Sequence, residues 1–492
     1  MNRPKDTADS LDRARAAIAA LSAHWPAGRL LTDPADCLAY GYDNSRRVVA
    51  PQAVVFALDE DEVVRVVEAC RDRRVPLTVR GRGTNTTGAS VPVDGGIVLS
   101  MERMNRILRL SPGDRLIECE AGCLNGDVQR AAAAHGLFWA PDPTSADYST
   151  VGGNLACGAG GPRAVKYGTA RENVLGLSAV TGAGQRLRCG SLTTKGVVGY
   201  DLTRLLIGSE GTLALITRAA LKLLPRPPHK RTLRAAYSDV ASAIAAVTRI
   251  MGQPATPCAL EFFDGDAVAL AQAWRDCGIP ERTGALLLID IDGDGDGLEA
   301  DTAAVAAAAG TTGLLELRQA ATAAESEDLW AARKALSPSL RKLAPRKVNE
   351  DVVVPVTQLP TLVAGLRKLS TDHGLRVVSF GHAGNGNLHV NLLADPLDSA
   401  QSRAIEACLH ALFELVLSLG GSLSGEHGVG IEKRAYVNWE IDAPSLALMR
   451  AIKVVFDPAG ILNPGKTLPD ASEGSDTAPS RTSREPGFKH PV

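Results

Sequence analysis

The density of glycine between residues 141 and 168 constrains the fold of this chain most strongly. The part that follows Thr150 has the sequence VGGNLACGAGGPRAVKYG. Each glycine in a regular helix or strand costs about 0.5–1 kcal/mol relative to alanine, so this many are tolerated only where the backbone must approach another group closely. The segment therefore predicts a turn-rich wall around a bound group.

Two further segments combine glycines with hydroxyl or charged side chains next to strand-like runs. RGRGTNTTG (80–88) follows the run PLTV, and GSEGTLALI (208–216) leads into a β-branched run. Successive N–H groups in such turns form a concavity that binds anions. Neither segment is a G-x-G-x-x-G or Walker pattern, and a tight loop without a ligand stays open as the alternative for the first.

Composition excludes several classes of protein. The 492 residues are 45% hydrophobic and 22% charged, and 53 basic against 55 acidic residues give a formal net charge of −2, so bulk charge does not favour nucleic acid. Nine cysteines with no C-x-x-C pair argue against a disulfide framework, a zinc ribbon or an iron–sulfur cluster. The charged N-terminus and the lack of a long apolar run predict no signal peptide and no transmembrane segment.

The pattern of strands and helices predicts an α+β fold in two main parts. Short β-branched runs alternate with glycine-rich turns from Val48 to Pro225, and PRPPHK (225–230) predicts a linker. Strand-like and alanine-rich helical runs then alternate again. We expect an N-terminal helical extension (1–46), a first domain (47–225), a second domain (226–468) and a disordered tail (469–492).

A candidate metal site lies in the second half. His382 and His389 flank a glycine-rich turn, and Glu426 lies between glycines in SGEHGVG (424–430). Imidazole and carboxylate suit Zn²⁺, Mn²⁺ or Fe²⁺, although a histidine pair at this spacing taken alone is more often structural. His427 is the candidate general base, with a fourth metal ligand as the alternative.

A candidate anion-binding group lies on a predicted helix. Arg333 and Ser337 are one turn apart in LWAARKALS (329–337), and an arginine fork matches a carboxylate, although a solvated surface charge is the alternative. The spacing of aspartates from Asp290 approaches that of a calcium loop. Because a strand-like run and not a helix precedes it, a turn is the better interpretation.

In combination, six motifs resemble one family across roughly residues 47–468. RGRGTNTTG, PDPTSADYSTVGGNLACGAGG, GSEGTLALIT, GHAGNGNLH, SGEHGVG and FDPAGILNPGK are similar to those of the FAD-dependent D-2-hydroxyacid dehydrogenases of the vanillyl-alcohol oxidase superfamily. The resemblance implies a two-part FAD-binding domain, a ferredoxin-like α+β cap domain that binds the substrate, and a C-terminal helical segment that returns to the flavin.

The same resemblance implies residues for FAD. Cys157 is the one residue that keeps a covalent link open; otherwise FAD is expected to be non-covalent. The implied FAD-binding residues are Arg80, Gly81, Arg82, Gly83, Thr84, Asn85, Gly88, Pro141, Thr144, Ser145, Gly152, Gly153, Asn154, Gly158, Gly161, Tyr167, Gly168, Glu210, Gly211, Ile216 and Asn463.

For the reaction, the resemblance implies oxidation of a D-2-hydroxy acid to the 2-oxo acid with hydride transfer to FAD. Arg333 and Ser337 would bind the substrate, and Asn349 stands where relatives acting on 2-hydroxyglutarate carry a lysine, which favours D-lactate or glycolate. Electrons would pass to an external quinone, electron-transfer flavoprotein or iron–sulfur subunit. We expect a homodimer, cytoplasmic or peripheral to a membrane.

Three alternatives stay open at this point. The substrate could be D-2-hydroxyglutarate. The chain could be a flavoprotein of the same superfamily with other chemistry, such as an alcohol oxidase or an ether-lipid synthase. It could also be a metal-dependent hydrolase or a ligand-binding protein whose glycine loops hold a nucleotide.

Overall fold

A computed structural model describes residues 7–26, 28–274, 278–344, 346–395 and 397–470. The α-helices are α1 (Thr7–Ser22), α2 (Pro34–Leu38), α3 (Glu60–Arg73), α4 (Asn125–Ala133), α5 (Val151–Cys157), α6 (Ala164–Tyr167), α7 (Leu202–Leu206), α8 (Val240–Met251), α9 (Gly265–Trp274), α10 (Gly295–Ala309), α11 (Ala323–Leu343), α12 (Leu359–His373), α13 (Ser399–Ser418), α14 (Val437–Glu440) and α15 (Ala443–Phe456). The β-strands are β1 (Leu30–Leu31), β2 (Ala53–Phe56), β3 (Leu77–Arg80), β4 (Ile97–Ser100), β5 (Ile107–Ser111), β6 (Leu116–Glu120), β7 (Leu137–Phe138), β8 (Val174–Thr181), β9 (Arg186–Gly190), β10 (Ala214–Lys222), β11 (Leu224–Pro225), β12 (His229–Tyr237), β13 (Ala259–Asp264), β14 (Ala285–Gly293), β15 (Leu314–Gln319), β16 (Arg346–Val353), β17 (Arg376–His382) and β18 (Asn387–Ala394).

The first unit contains two main sheets around one hydrophobic core. A four-stranded sheet has the order β1-β2-β4-β3, with β2, β4 and β3 parallel. A five-stranded antiparallel sheet has the order β5-β6-β10-β8-β9. Helix α3 follows β2 and begins where the Asp59 carboxylate accepts a hydrogen bond from the Glu62 amide. Its residues Val63, Val66 and Val67 are buried in the core that both sheets share.

The chain returns to this first unit near its C-terminus. The Leu77 amide donates to the Ile461 carbonyl, and the Asn463 amide donates to the Leu77 carbonyl, so the segment lies alongside β3. Ile461 and Leu462 are buried in the first core. The expected return of the C-terminal segment to the first unit is therefore present.

The second unit is built on a seven-stranded antiparallel sheet with the order β15-β12-β14-β13-β17-β18-β16. Its first four strands, with α8 and α10 as connections, have the arrangement of a ferredoxin-like fold. The expected α+β class is confirmed. The predicted linker is longer than the real one, because β12 begins at His229 and pairs there with Gly293.

The two faces of this sheet have different partners. Leu260, Val390 and Val352 face the core formed with α8, α10, α12 and α13. Phe263, Phe380 and their neighbours face α9 and α11. Since side chains alternate along a strand, the residues next to these core positions point to the opposite face. That alternation places several polar side chains together on the face of α9 and α11.

The structure can be compared with two further expectations, the lack of a transmembrane segment and the disordered tail. Within the described ranges, no helix is long and apolar enough to cross a membrane. The tail predicted from residue 469 lies outside the described residues from position 471 onward. The cysteines within the described part of the chain are all free.

Candidate active site

A cavity of about 720 Å³ lies between the two units. Its volume falls in the range of cofactor and ligand sites. The first unit contributes the glycine-rich segments, and the second contributes strands β16 to β18 and the loop after Leu423. Of the residues proposed from sequence, those that line it are Arg80, Gly81, Arg82, Gly83, Thr84, Asn85, Thr144, Ser145, Gly152, Gly153, Asn154, Glu210, Gly211, Ile216, Arg333, Asn349, His389, Glu426 and His427.

The other proposed residues do not line this cavity. Tyr167 donates from its hydroxyl to Asp292 at 2.8 Å, which places it at a contact between the two units. Asn463 donates to the Ala89 and Glu210 carbonyls and so supports the wall from outside. The Ser337 side chain lies outside the described residues. The proposed residues absent from the lining are Gly88, Pro141, Gly158, Gly161, Tyr167, Gly168, Asn463 and His382.

The glycine-rich wall has the properties of a dinucleotide cradle. A Cβ on Gly81 would lie 2.2 Å from Thr150 Oγ1, so only glycine lets this loop close against the start of α5. Thr150 Oγ1 accepts from the Gly153 amide. The Nδ2 atom of Asn154 is buried and has no hydrogen-bond partner among the described residues, although its side chain lines the cavity. A buried donor without a partner predicts that a bound ligand places a polar group within hydrogen-bond distance.

A loop of the second unit closes the cavity. The Glu210 carboxylate accepts from the Val429 and Gly430 amides at 2.9–3.0 Å. Glu426 Oε2 accepts from the Gly161 amide at 2.6 Å. The loop that carries Glu426 and His427 is therefore bonded directly to the first unit.

Cross-strand pairing brings two histidines and two carboxylates together. Glu261 on β13 is opposite His382 on β17, and His389 on β18 is opposite Asp351 on β16. Directly opposite residues on one sheet face have neighbouring side chains. The cluster of Glu261, His382, His389, Asp351 and Glu426 is called the imidazole–carboxylate cluster below.

Within this cluster both imidazoles face Glu426 with one nitrogen and a buried carboxylate with the other. Glu426 Oε1 lies 3.1 Å from His382 Nε2 and 3.7 Å from His389 Nε2. His382 Nδ1 is hydrogen-bonded to Glu261 Oε1, and His389 Nδ1 lies 3.8 Å from Asp351 Oδ1. A carboxylate behind each imidazole is the usual support of histidine metal ligands. The ligand atoms of His382, His389 and Glu426 all lie within 4.8 Å of one another.

Charges within the cluster shift its pKa values strongly. Burial disfavours the His382 imidazolium, but Glu261 and Glu426 outweigh burial and raise the pKa of His382 to about 10. Burial opposes ionisation of Glu426, yet His382 and His389 lower its pKa to about 2. Burial, assisted by the nearby His427 and His382, lowers the pKa of His389 to about 3. His389 is therefore a neutral imidazole, the form that binds metals, whereas His382 would have to release its proton to bind one.

The turn between the two histidines requires glycine at position 386, which gives a first prediction. Gly386 has φ +73°, and a Cβ there would lie 1.9 Å from the Val354 carbonyl oxygen. We expect Gly386→Ala to lower the free energy of unfolding by about 3 kcal/mol, from backbone strain and overpacking together. Gly374→Ala is the matched control, because Gly374 has φ +60° but no atom within 4 Å of its Cβ. It should cost about 1 kcal/mol. Denaturant unfolding measures both, and equal losses would contradict the steric explanation.

Comparisons with known proteins agree with this arrangement. A model described as "FAD binding domain" matches residues 51–190, and one described as "FAD linked oxidases, C-terminal domain" matches residues 226–467. The glycolate oxidase subunit GlcD of Bacillus subtilis is 36% identical over 87% of this chain and 92% of its own. The D-lactate dehydrogenase of Archaeoglobus fulgidus is 34% identical over 87% of this chain and 95% of its own. The chain belongs to the FAD-dependent 2-hydroxyacid dehydrogenases.

Other relatives are consistent with this assignment. The D-2-hydroxyglutarate dehydrogenase of Stutzerimonas stutzeri is 32% identical over 89% of this dehydrogenase and 96% of its own chain. The solved structure of p-cresol methylhydroxylase matches with a TM-score of 0.78 over 94% of this chain and 98% of its own, at 16% identity, which supports the fold alone. The dehydrogenase is thus an FAD-linked oxidoreductase that acts on hydroxyacids. The metal-dependent hydrolase and flavin-free binding protein are excluded.

Two more predicted residues lie beside the cluster of the dehydrogenase. His427 stacks on His389 with ring centroids 5.1 Å apart and an interplanar angle of 11°, and it lines the cavity. Asn349 donates to Asn391 Oδ1 at 2.8 Å across the strands. His427 is thus within the cavity wall, where a general base would have to be.

Sequence reasoning missed Glu261 and Asp351. Each is fully buried and completes a histidine–carboxylate pair. The available signal was the alternation in ALEFFD (259–264) and NEDVVV (349–354), where a carboxylate occupies a position between residues that face the core. A buried acid in a strand is rare without a partner, so such a position deserves a functional interpretation.

Proposed function

We propose that this dehydrogenase oxidises a short D-2-hydroxy monocarboxylic acid such as D-lactate, or the achiral glycolate, to the 2-oxo acid, with the help of a divalent metal. The observation that carries the proposal is that Arg333 and two members of the imidazole–carboxylate cluster, His389 and Glu426, line the same cavity as the FAD-binding segments. A carboxylate-binding group and a hydroxyl-binding centre are thus side by side, as an α-hydroxy acid requires.

His382, His389 and Glu426 would hold the metal. Two imidazoles and one carboxylate form a donor set suited to Zn²⁺, Mn²⁺ or Fe²⁺, and a site with three protein ligands leaves positions for substrate. The buried carboxylates of Glu261 and Asp351 behind the imidazoles support this assignment, since they orient the rings.

The chain's own side chains would bind the acid and move its proton. FAD, when bound, supplies the hydride acceptor, and a divalent cation supplies a Lewis acid beside the hydroxyl. Arg333 is 7% exposed and lines the cavity, where its guanidinium would bind the substrate carboxylate. His427 would accept the hydroxyl proton at its imidazole nitrogen.

The neutral Asn349–Asn391 pair favours a monocarboxylate. D-2-hydroxyglutarate is the second candidate, because Arg346 and Lys347 also line the cavity and could attract a second carboxylate. For FAD we propose non-covalent binding, with electrons passed to an external quinone, electron-transfer flavoprotein or iron–sulfur subunit. The pKa of the Cys157 thiol is raised to about 12 by burial and by the nearby Glu210, so this thiol is a poor nucleophile.

Anaerobic bleaching of the flavin tests the proposal without knowledge of the electron acceptor. We expect D-lactate or glycolate to reduce the flavin absorbance fully at millimolar concentration, L-lactate to leave it unchanged, and D-2-hydroxyglutarate to act at least tenfold more slowly. Acid precipitation should release the FAD into the supernatant. Faster bleaching by D-2-hydroxyglutarate would replace the first candidate by the second, and no bleaching by any D-2-hydroxy acid would contradict both.

A further inference from the structure

The Glu261 carboxylate connects two groups to which the proposed function gives different roles. Its side chain has no exposed surface. Oε1 is hydrogen-bonded to His382 Nδ1, and Oε2 accepts from Arg333 Nε at 2.5 Å. The carboxylate thus uses one oxygen for each partner.

This contact fixes Arg333 relative to the imidazole–carboxylate cluster. Arg333 is on α11, which packs against the sheet through Leu336 and Leu340, whereas His382 ends strand β17. Phe380 holds the guanidinium from another side, with Arg333 Cζ 4.8 Å from the ring centroid. Nε of the guanidinium is occupied by Glu261, and an arginine has further N–H donors at its terminal nitrogens for a ligand.

We propose that Glu261 is a positioning residue that sets the distance between Arg333 and the hydroxyl-binding centre, and thereby selects acids whose hydroxyl is on the carbon next to the carboxylate. The inference rests on the proposed function, because it gives these two sites their roles. A 3-hydroxy acid has one more C–C bond, about 1.5 Å, between the two groups. A site held rigidly at the shorter spacing disfavours the longer acid, because misplacement by about 1 Å can cost about 10²-fold in rate.

Oxalate and malonate report this spacing without turnover. The two carboxylate carbons of oxalate are bonded directly to each other, as are the carboxylate carbon and the hydroxyl-bearing carbon of a 2-hydroxy acid. In malonate one methylene separates the two carboxylates. In the FAD- and metal-loaded parent protein we expect calorimetry to give a dissociation constant at least tenfold lower for oxalate than for malonate. Equal affinities would overturn the proposal before any variant is made.

Glu261→Asp keeps the charge and shortens the side chain by one methylene, so one carboxylate can no longer reach both partners. We expect oxalate binding to weaken about 30-fold or more, malonate binding to change less than threefold, and the preference of kcat/KM for D-2-hydroxy over 3-hydroxy acids to narrow. A merely structural role would weaken both ligands in proportion, which would contradict the proposal. If Glu261→Asp does not fold, Glu261→Gln, which conserves the volume of the side chain, is measured in the same way.

The matched control is Glu316→Asp. Glu316 pairs with the buried Arg234 in the same sheet, and neither residue lines the cavity. This variant should leave the ratio of the two dissociation constants within twofold of the parent value. If no D-2-hydroxy acid bleaches the flavin of the parent protein, the proposed function is wrong. If the flavin bleaches but Glu261→Asp keeps the parent ratio of the two dissociation constants, only the proposed role of Glu261 is wrong.

Discussion

Glu426→Gln is expected to lower kcat/KM for the hydroxyacid substrate about 10³-fold, which corresponds to about 4 kcal/mol of transition-state stabilisation. Glu426 Oε1 faces the Nε2 atoms of both His382 and His389, and an amide there removes the negative charge that a divalent cation requires. The metal content per chain, measured by elemental analysis, should fall to a trace in the same variant.

The other oxygen of Glu426 makes this experiment selective. Oε2 accepts from the Gly161 amide, and the carbonyl oxygen of a glutamine can keep that hydrogen bond and thus the closed loop. We therefore expect the FAD content, measured by absorbance, to stay near the parent value. Glu414→Gln, on the exposed side of α13, is the matched control and should change neither metal nor activity. A Glu426→Gln enzyme with full metal and full activity would show that Glu426 does not bind the proposed metal.

The strands and the cofactor wall were predictable because their causes are local. Strands β2, β3, β4 and β6 come from short β-branched runs between turns, and glycine is needed where a Cβ would collide, as at Gly81. The histidines, Glu426 and His427 were found because each lies in a short glycine-rich segment. Such features can be recognised from a few neighbouring residues of the sequence.

The pairing of the buried carboxylates with the histidines was not predictable, because strand pairing is a non-local property. Glu261 meets His382 across 121 positions of sequence and Arg333 across 72. Only the strand order, with β13 next to β17, makes these pairs neighbours. Alternation identifies which residues share a face within one strand, but it does not say which strands pair or in which register. Arg333 was accordingly proposed for substrate alone, and its bond to a buried acid was missed.

Asp351→Asn is expected to have the largest effect on stability, with a loss of about 3–5 kcal/mol in the free energy of unfolding. Asp351 Oδ2 accepts from the consecutive amides of Gly425, Glu426 and His427 at 2.7–2.9 Å, and Oδ1 accepts from Asn387 Nδ2 at 2.6 Å. Since donors surround both oxygens, the NH₂ of an asparagine faces a donor whichever way the amide turns. Denaturant unfolding measures the loss.

The same substitution should release the loop that carries Glu426 and His427. Hydrogen exchange of the amides at 425–427 is expected to accelerate, because their shared acceptor is lost. Asp264→Asn is the matched control in the same sheet. The Asp264 carboxylate also accepts from backbone amides, those of Ala267 and Ser379, but from none at 425–427, so this variant should lower the free energy of unfolding too and leave exchange at 425–427 at the parent rate. Equally fast exchange at 425–427 in the two variants would mean that Asp351 acts as one buried polar group among others. Faster exchange confined to Asp351→Asn would mean that one carboxylate orients both Glu426 and His427, the proposed metal ligand and general base.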